Sequence, residues 1–213
     1  MKNVLLLPLA SLWLFMSCTN HNTKLESAIN HYKILVEKEK VNVDSSYSTP
    51  FGIDFNVNRA TFEKKIDSLI NLRVLTNQDD KYFYDFDINL PEKTTIKASY
   101  NFAFENDSLY HIGLGFESID DLNKINIAKH QISSIYFDKY GSYGSSNYIS
   151  IPYGEDDTQG DLVWVKGNSE IRIRRLNNQP LGIVYSYIPT KDKLDSLNQY
   201  KKDKKQKELE KSL

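Results

Sequence analysis

The densest run of oxygen ligands in the chain is Gly154-Glu155-Asp156-Asp157-Thr158-Gln159-Gly160-Asp161, glycine-flanked material of the kind that builds a calcium loop. Its spacing departs from the EF-hand pattern and no glutamate closes it, so it reads as a solvated hairpin turn and no metal is expected. Asp85 and Asp87 share one face of a predicted strand. Such a pair can hold a divalent cation, but the simpler reading is the wet face of a sheet. The histidines, His21, His31, His111 and His130, fall on separate predicted elements and no pair has ligand or acid-base spacing. There is no Gly-x-Ser-x-Gly, no His-Glu-x-x-His and no phosphate loop, so no cofactor is expected. What remains is a basic strand face, Lys166, Arg172 and Arg174, flanked by Tyr143, Tyr148 and Tyr153. Arginine and tyrosine are the residues that interfaces concentrate at their hot spots. The three charges alternate with Val165, Ile171 and Ile173, which predicts that they emerge together on the solvent side of a hairpin whose other face is packed.

The elements that would position these groups follow an N-terminal address. Lys2, an apolar run from Val4 to Met16 and the small Ser17 before the chain's single cysteine, Cys18, have the three parts of a secretory signal. The apolar run is shorter than the roughly 18 residues of a membrane-spanning helix and contains Pro8. Phe15-Met16-Ser17-Cys18 resembles a bacterial lipobox, in which cleavage before the cysteine is followed by its lipidation. Ser17 and Cys18 fit that pattern, and Phe15 and Met16 depart from it. The resemblance implies a signal peptide at 1–17, a lipidated tether at 18–22 and a folded domain at 23–213. One cysteine leaves no internal disulfide, so the domain must be held by packing alone. With 27 Lys+Arg against 28 Asp+Glu, the chain has no general attraction for nucleic acid.

Within the domain, Thr23 and Glu26 read as a capping box that starts a first helix, whose apolar face is Leu25, Ala28, Ile29, Tyr32, Leu35 and Val36. Thr49 to Phe55 reads as extended. Asn58 caps a second helix with Phe62, Ile66, Leu69 and Ile70 on one face. Alternating segments at 82–88, 96–104 and 110–116 predict a three-stranded antiparallel meander whose outer face carries His111, Gly113 and Gly115. Ser118 caps a third helix, 120–140, with Leu122, Ile125, Ile132, Ile135, Tyr136 and Tyr140 on its packed side. Strands follow near 148–151, 162–165, 170–174 and 181–187. A charged helix, 190–213, closes the chain, its lysine-rich end fraying into solvent. The fold class is α+β, helices packed on antiparallel sheet, with helix-plus-three-strand halves at 51–117 and 118–189, a period of about 60 residues.

A lipobox followed by this element order resembles the small lipoproteins common in Bacteroidota and, more remotely, the beta-lactamase-inhibitor-like fold. The latter resemblance covers element order from about Phe51 to Tyr187 and implies protein binding as the class of work, without assigning residues. Asp-Ser-Leu, at residues 67–69, 107–109 and 195–197, is similar to the O-glycosylation acceptor pattern of exported Bacteroidota proteins; Ser108, in a predicted turn, is its accessible instance. The expectation is a lipid-anchored envelope lipoprotein on the periplasmic face of the outer membrane, acting as a non-enzymatic binding module for another envelope protein. The alternatives are an envelope hydrolase with a non-motif site and an immunity or inhibitor protein.

Overall fold

The computed structural model describes residues 7–42, 46–78, 81–87, 95–116, 122–142, 144–152, 160–175 and 181–211. Its first element, α1 (Leu7–Glu39), is one continuous helix. The 18–22 stretch is therefore helical, and Thr23 lies inside the helix and not at its start, where the preceding turn already supplies carbonyl partners to the amides that a cap would satisfy. The apolar stripe is as the spacing predicts at Leu35 and Val36, which are buried, and at Leu25, Ala28 and Tyr32, which are partly so. Residues Pro50–Gly52 form a 3-10 turn where extended chain was expected, with Phe51 at φ 62°. In α2 (Arg59–Asn71) the Thr61 amide donates to Asn58 Oδ1 at 2.8 Å, and Phe62, Ile66 and Leu69 are buried. In α3 (Leu122–Tyr140) Ala128, Ile132 and Tyr136 are buried. Ile135, expected on the packed side, is 53% exposed because Tyr136 and Phe137 take its place against the sheet. Ser118 lies outside the described residues. The last helix, α4 (Ile188–Lys211), has Pro189 in its first turn and stays helical through the lysines expected to fray.

Among the described residues eight strands form one antiparallel sheet: β1 (Thr76–Gln78), β2 (Lys81–Asp87), β3 (Thr95–Glu105), β4 (Ser108–Phe116), β5 (Tyr148–Pro152), β6 (Gly160–Lys166), β7 (Ser169–Arg175) and β8 (Gly182–Tyr187). The order is β1-β2-β3-β4-β8-β7-β6-β5. Each half thus supplies one helix and a four-stranded meander; the first gains a strand over the three expected, because Thr76–Gln78 pairs with the start of β2, and the second has the four segments read at 148–151, 162–165, 170–174 and 181–187. The halves join at β4–β8, and the order reads alike outward from that seam. Two tight turns set the registers. Asn106 and Asp107, both with positive φ, connect β3 to β4; Gly167, φ 55°, opens the two-residue turn that pairs Lys166 with Ser169.

Both sheet faces are covered. On one, α2 and α3 pack over Ala98, Tyr100, Ile112, Leu114, Leu162, Trp164, Ile171, Ile173 and Ile183. On the other, α1 and the start of α4 cover Ile149, Ile151, Val163 and Val165 with Leu35, Val36 and Ile188. Consecutive residues of β6 therefore enter opposite cores, which explains its unbroken apolar run Leu162-Val163-Trp164-Val165.

This register overturns the single basic face. Directly opposed residues of a pair lie on the same side of a sheet. Lys166 opposes Ser169 and so shares the α2/α3 side with Ile171 and Ile173, its ammonium 6.0 Å from the Tyr47 ring. Glu170, opposite Val165, lies on the α1/α4 side, and so do Arg172 and Arg174. Alternation within each strand was right, but the two strands enter the turn with opposite phase.

Candidate functional site

The site is built on the sheet face beneath α1 and α4. Cross-strand pairing lays its floor in rows: His111, Ser186 and Glu170; then Gly113, Val184 and Arg172; then Gly115, Gly182 and Arg174. The third row ends on adjacent glycines, which leave the floor low beside Arg174. A Cβ at Gly113 would stand 2.3 Å from Asn101 Oδ1, so a larger residue there would make that exposed side chain turn aside. The face of β4 expected to be open to solvent is thus the floor of a groove, and His111 is half-buried in it.

The walls are tied to this floor through Glu170, whose side chain is 1% exposed. Tyr32 of α1 donates its hydroxyl to Glu170 Oε2 at 2.5 Å, and Lys191 of α4 donates to Oε1 at 2.6 Å. Lys191 Nζ also lies 3.3 Å from the Tyr32 hydroxyl. Arg172, alongside on β7, donates to buried Asp161 Oδ2 at 2.9 Å, and its Nε lies 3.5 Å from Glu170 Oε1. The guanidinium and the Lys191 ammonium stand 5.5 and 5.6 Å from the Tyr32 ring centroid. One carboxylate therefore joins helix α1, helix α4 and strand β7.

Protonation states follow from these contacts. Burial by itself would raise the Glu170 pKa, but Arg172 and Lys191, with hydrogen bonds from Lys191 and Tyr32, outweigh it and hold the carboxyl below its ordinary value. Burial, together with the Glu170 charge, pushes the Tyr32 phenol far above its usual range. Burial works against the Arg172 charge, yet Glu170 and Asp161 more than compensate and its pKa is raised. Burial, then the nearby Arg174, lower the pKa of His111, so its imidazole is neutral at pH 7. Near neutrality Glu170 is an anion, Tyr32 a phenol and Arg172 a cation, all engaged with one another. A general acid or base needs a pKa near the working pH, and these three are moved away from it.

The groove has a volume of about 930 Å³, and its lining mixes Leu25, Ile29, Ile151 and Leu194 with Arg174, Asp192 and Asp195. Arg174 is exposed and, among the described residues, enters no ion pair. Among the described residues no group of three or more His, Cys, Asp or Glu gathers as a metal site.

Of the residues singled out from sequence, Arg172 and Arg174 meet in this groove, Arg172 buried and Arg174 open. Lys166 is exposed on the far side of the sheet. Tyr148 is 7% exposed and packs on Phe137 and Trp164, so it belongs to the core and not to a partner surface. Tyr143, Tyr153, and residues 154–159 of the acidic run lie outside the described residues. Asp161, from that run, is a partner of Arg172. Asp85 and Asp87 are on β2, where side-chain surroundings are not described. Ser108 is half-buried at the start of β4, bridged to Asn58 beside the exposed turn residues Asn106 and Asp107. Cys18 lies on the helical span of α1. Tyr32, His111, Glu170 and Lys191 were not assembled from sequence, since their meeting depends on both faces of the sheet being covered. The signal was Glu170 itself, a lone carboxylate opposite Val165 across a two-residue turn, which marks a charge that must be buried and paired.

No helix among the described residues is long and apolar enough to cross a membrane. Searches against protein-family models, curated proteins and solved structures return no match for this chain.

Proposed function

We propose that the chain is a lipoprotein of the bacterial cell envelope, anchored through Cys18 on the periplasmic face of the outer membrane, that works as a non-enzymatic protein-binding module. The groove between α1 and α4 is its binding surface. The observation that carries this reading is the closure of the titratable cluster upon itself: Glu170 is occupied by Tyr32 and Lys191 and flanked by Arg172, and its pKa is held low. A cluster of titratable groups in a groove is also what a hydrolase would need, but here Glu170, Tyr32 and Arg172 are engaged with one another and serve to fix helices to a sheet. The doubled order of helix and antiparallel strands is the feature on which the likeness to the beta-lactamase-inhibitor-like fold rests, and that likeness carries protein binding as the class of work.

Three measurements test the reading. Cys18→Ser should abolish acyl labelling and membrane retention while leaving the circular-dichroism spectrum of the domain unchanged; persistent lipid labelling would remove the anchor. Arg174→Glu should lower recovery of envelope partners cross-linked to the groove without altering thermal melting. Hydrolysis of an ester, amide or phosphate by the purified protein, lost on His111→Ala, would replace binding with catalysis.

A further inference from the structure

Helices α1 and α4 run antiparallel over the same face of the sheet, and three sets of contacts fix their relative register. Ile188 is buried with Leu35 and Val36, Lys191 meets Tyr32, and Leu194 and Asn198 line the groove together with Leu25 and Ile29. Each step toward the C-terminus of α4 thus matches a step toward the N-terminus of α1, and both helices continue past the groove in the same direction. Cys18 is seven residues beyond Leu25, and Lys205 is seven residues beyond Asn198. At about 1.5 Å per residue, both stand roughly 10 Å past that end of the groove. Around this level α4 carries Lys201, Lys202, Lys204, Lys205 and Lys207, all exposed, with Asp203 the one acid among them. Just before them Leu197 and Tyr200 are 45% and 68% exposed. Both lie on the helix side of Lys204 and Lys207, three to four residues apart along the helix.

We propose that this lysine-rich end of α4 is a second membrane contact, docking on anionic lipid headgroups of the leaflet that holds the acyl chains of Cys18. The inference rests on the anchor reading of Cys18, because it is the anchor that places this end of the molecule at the bilayer. Clustered lysines at headgroup level are attracted by anionic lipid, and an exposed tyrosine and leucine beside them match the apolar edge of the headgroup layer. Acyl chains alone retain the domain but leave it free to tilt. A second contact on a helix braced to the sheet through Lys191 and Glu170 sets its orientation, with one end of the groove turned toward the bilayer.

The test is lysine footprinting of the mature lipoprotein, purified from membranes and reconstituted in vesicles of phosphatidylcholine alone or with about 30% phosphatidylglycerol, at low salt. An amine-reactive reagent, read by mass spectrometry, should modify Lys201–Lys207 about five-fold or more slowly in the anionic vesicles, and salt near 0.5 M should erase the difference. Lys166, on the other face of the sheet, serves as the internal control. Equal modification in the two vesicle types overturns the proposal, as does protection that appears only when an acidic protein is added. The five-fold Lys→Gln variant should remain membrane-bound through Cys18 but lose the dependence of domain orientation on phosphatidylglycerol, measured by neutron reflectometry; unchanged orientation also overturns it. Cys18→Ser separates the two readings. If that variant stays on membranes unlipidated, the anchor fails on its own, while the lipid-dependent footprint still decides the lysine contact.

Discussion

A carboxylate shared by a phenol and an ammonium, with a guanidinium beside it, makes Glu170 the most consequential single residue of the face under α1 and α4. Removing one member of a buried ionic group leaves the others uncompensated, which costs about 3–5 kcal/mol. Glu170→Gln keeps the shape and should lower stability by about 3 kcal/mol, read as a fall in urea midpoint at constant slope. Arg172→Glu should be at least as damaging, since it would set a third anion between Asp161 and Glu170. Arg174→Glu, one pleat further and exposed, should stay within about 0.5 kcal/mol. The same residues set the response to acid. Glu170 and His111 both have folded-state pKa values below their ordinary ones. Each therefore contributes stability that is present above its unfolded-state pKa and is lost as pH falls through the folded value. For His111 the loss begins below about pH 6.5 and for Glu170 below about pH 4.5. Charging His111 would set a cation beside Arg174 and Lys191, with Glu170 only partly offsetting them. Melting temperature should fall between pH 7 and pH 5, and His111→Gln should flatten that part of the profile.

At the scale of elements, strands are held in register by positions that tolerate no side chain. Gly160 opens β6 at φ 138°, and a Cβ there would lie 2.2 Å from the Ile151 carbonyl oxygen of β5. Gly160→Ala should lower stability by about 2 kcal/mol or more and first release β5, seen as faster amide exchange at Ile149 and Ile151. Much of this level was legible in the sequence. The face of α2, its Asn58 cap and the strands around 96–104, 110–116 and 170–174 follow from periodicity, and β6 follows from its unbroken apolar run, the pattern of a strand buried on both faces. The extent of α1 was not, because a capping box marks a helix start only when no helical turn precedes it. Nor was the groove legible. His111, Gly113 and Gly115 look like a solvent face in β4, and only the antiparallel return of α4 over the sheet makes them a floor.

For the molecule as a whole, the seam between β4 and β8 governs the order of assembly. Every other neighbouring strand pair closes within its own half, whereas β4 ends at Phe116 and β8 begins at Gly182. A chain that emerges N-terminus first presents the inner edge of β4 long before the strand that covers it exists. Until then its amides and carbonyls form an open template, the circumstance in which half-made sheets pair with the wrong neighbour. Closure of a long loop slows formation of such a seam, so these contacts should arise after the folding transition state. Ile183→Val should then accelerate unfolding with little change in the folding rate, read from the two limbs of a chevron plot. Slow synthesis would lengthen the time during which the first half waits with one edge unpaired.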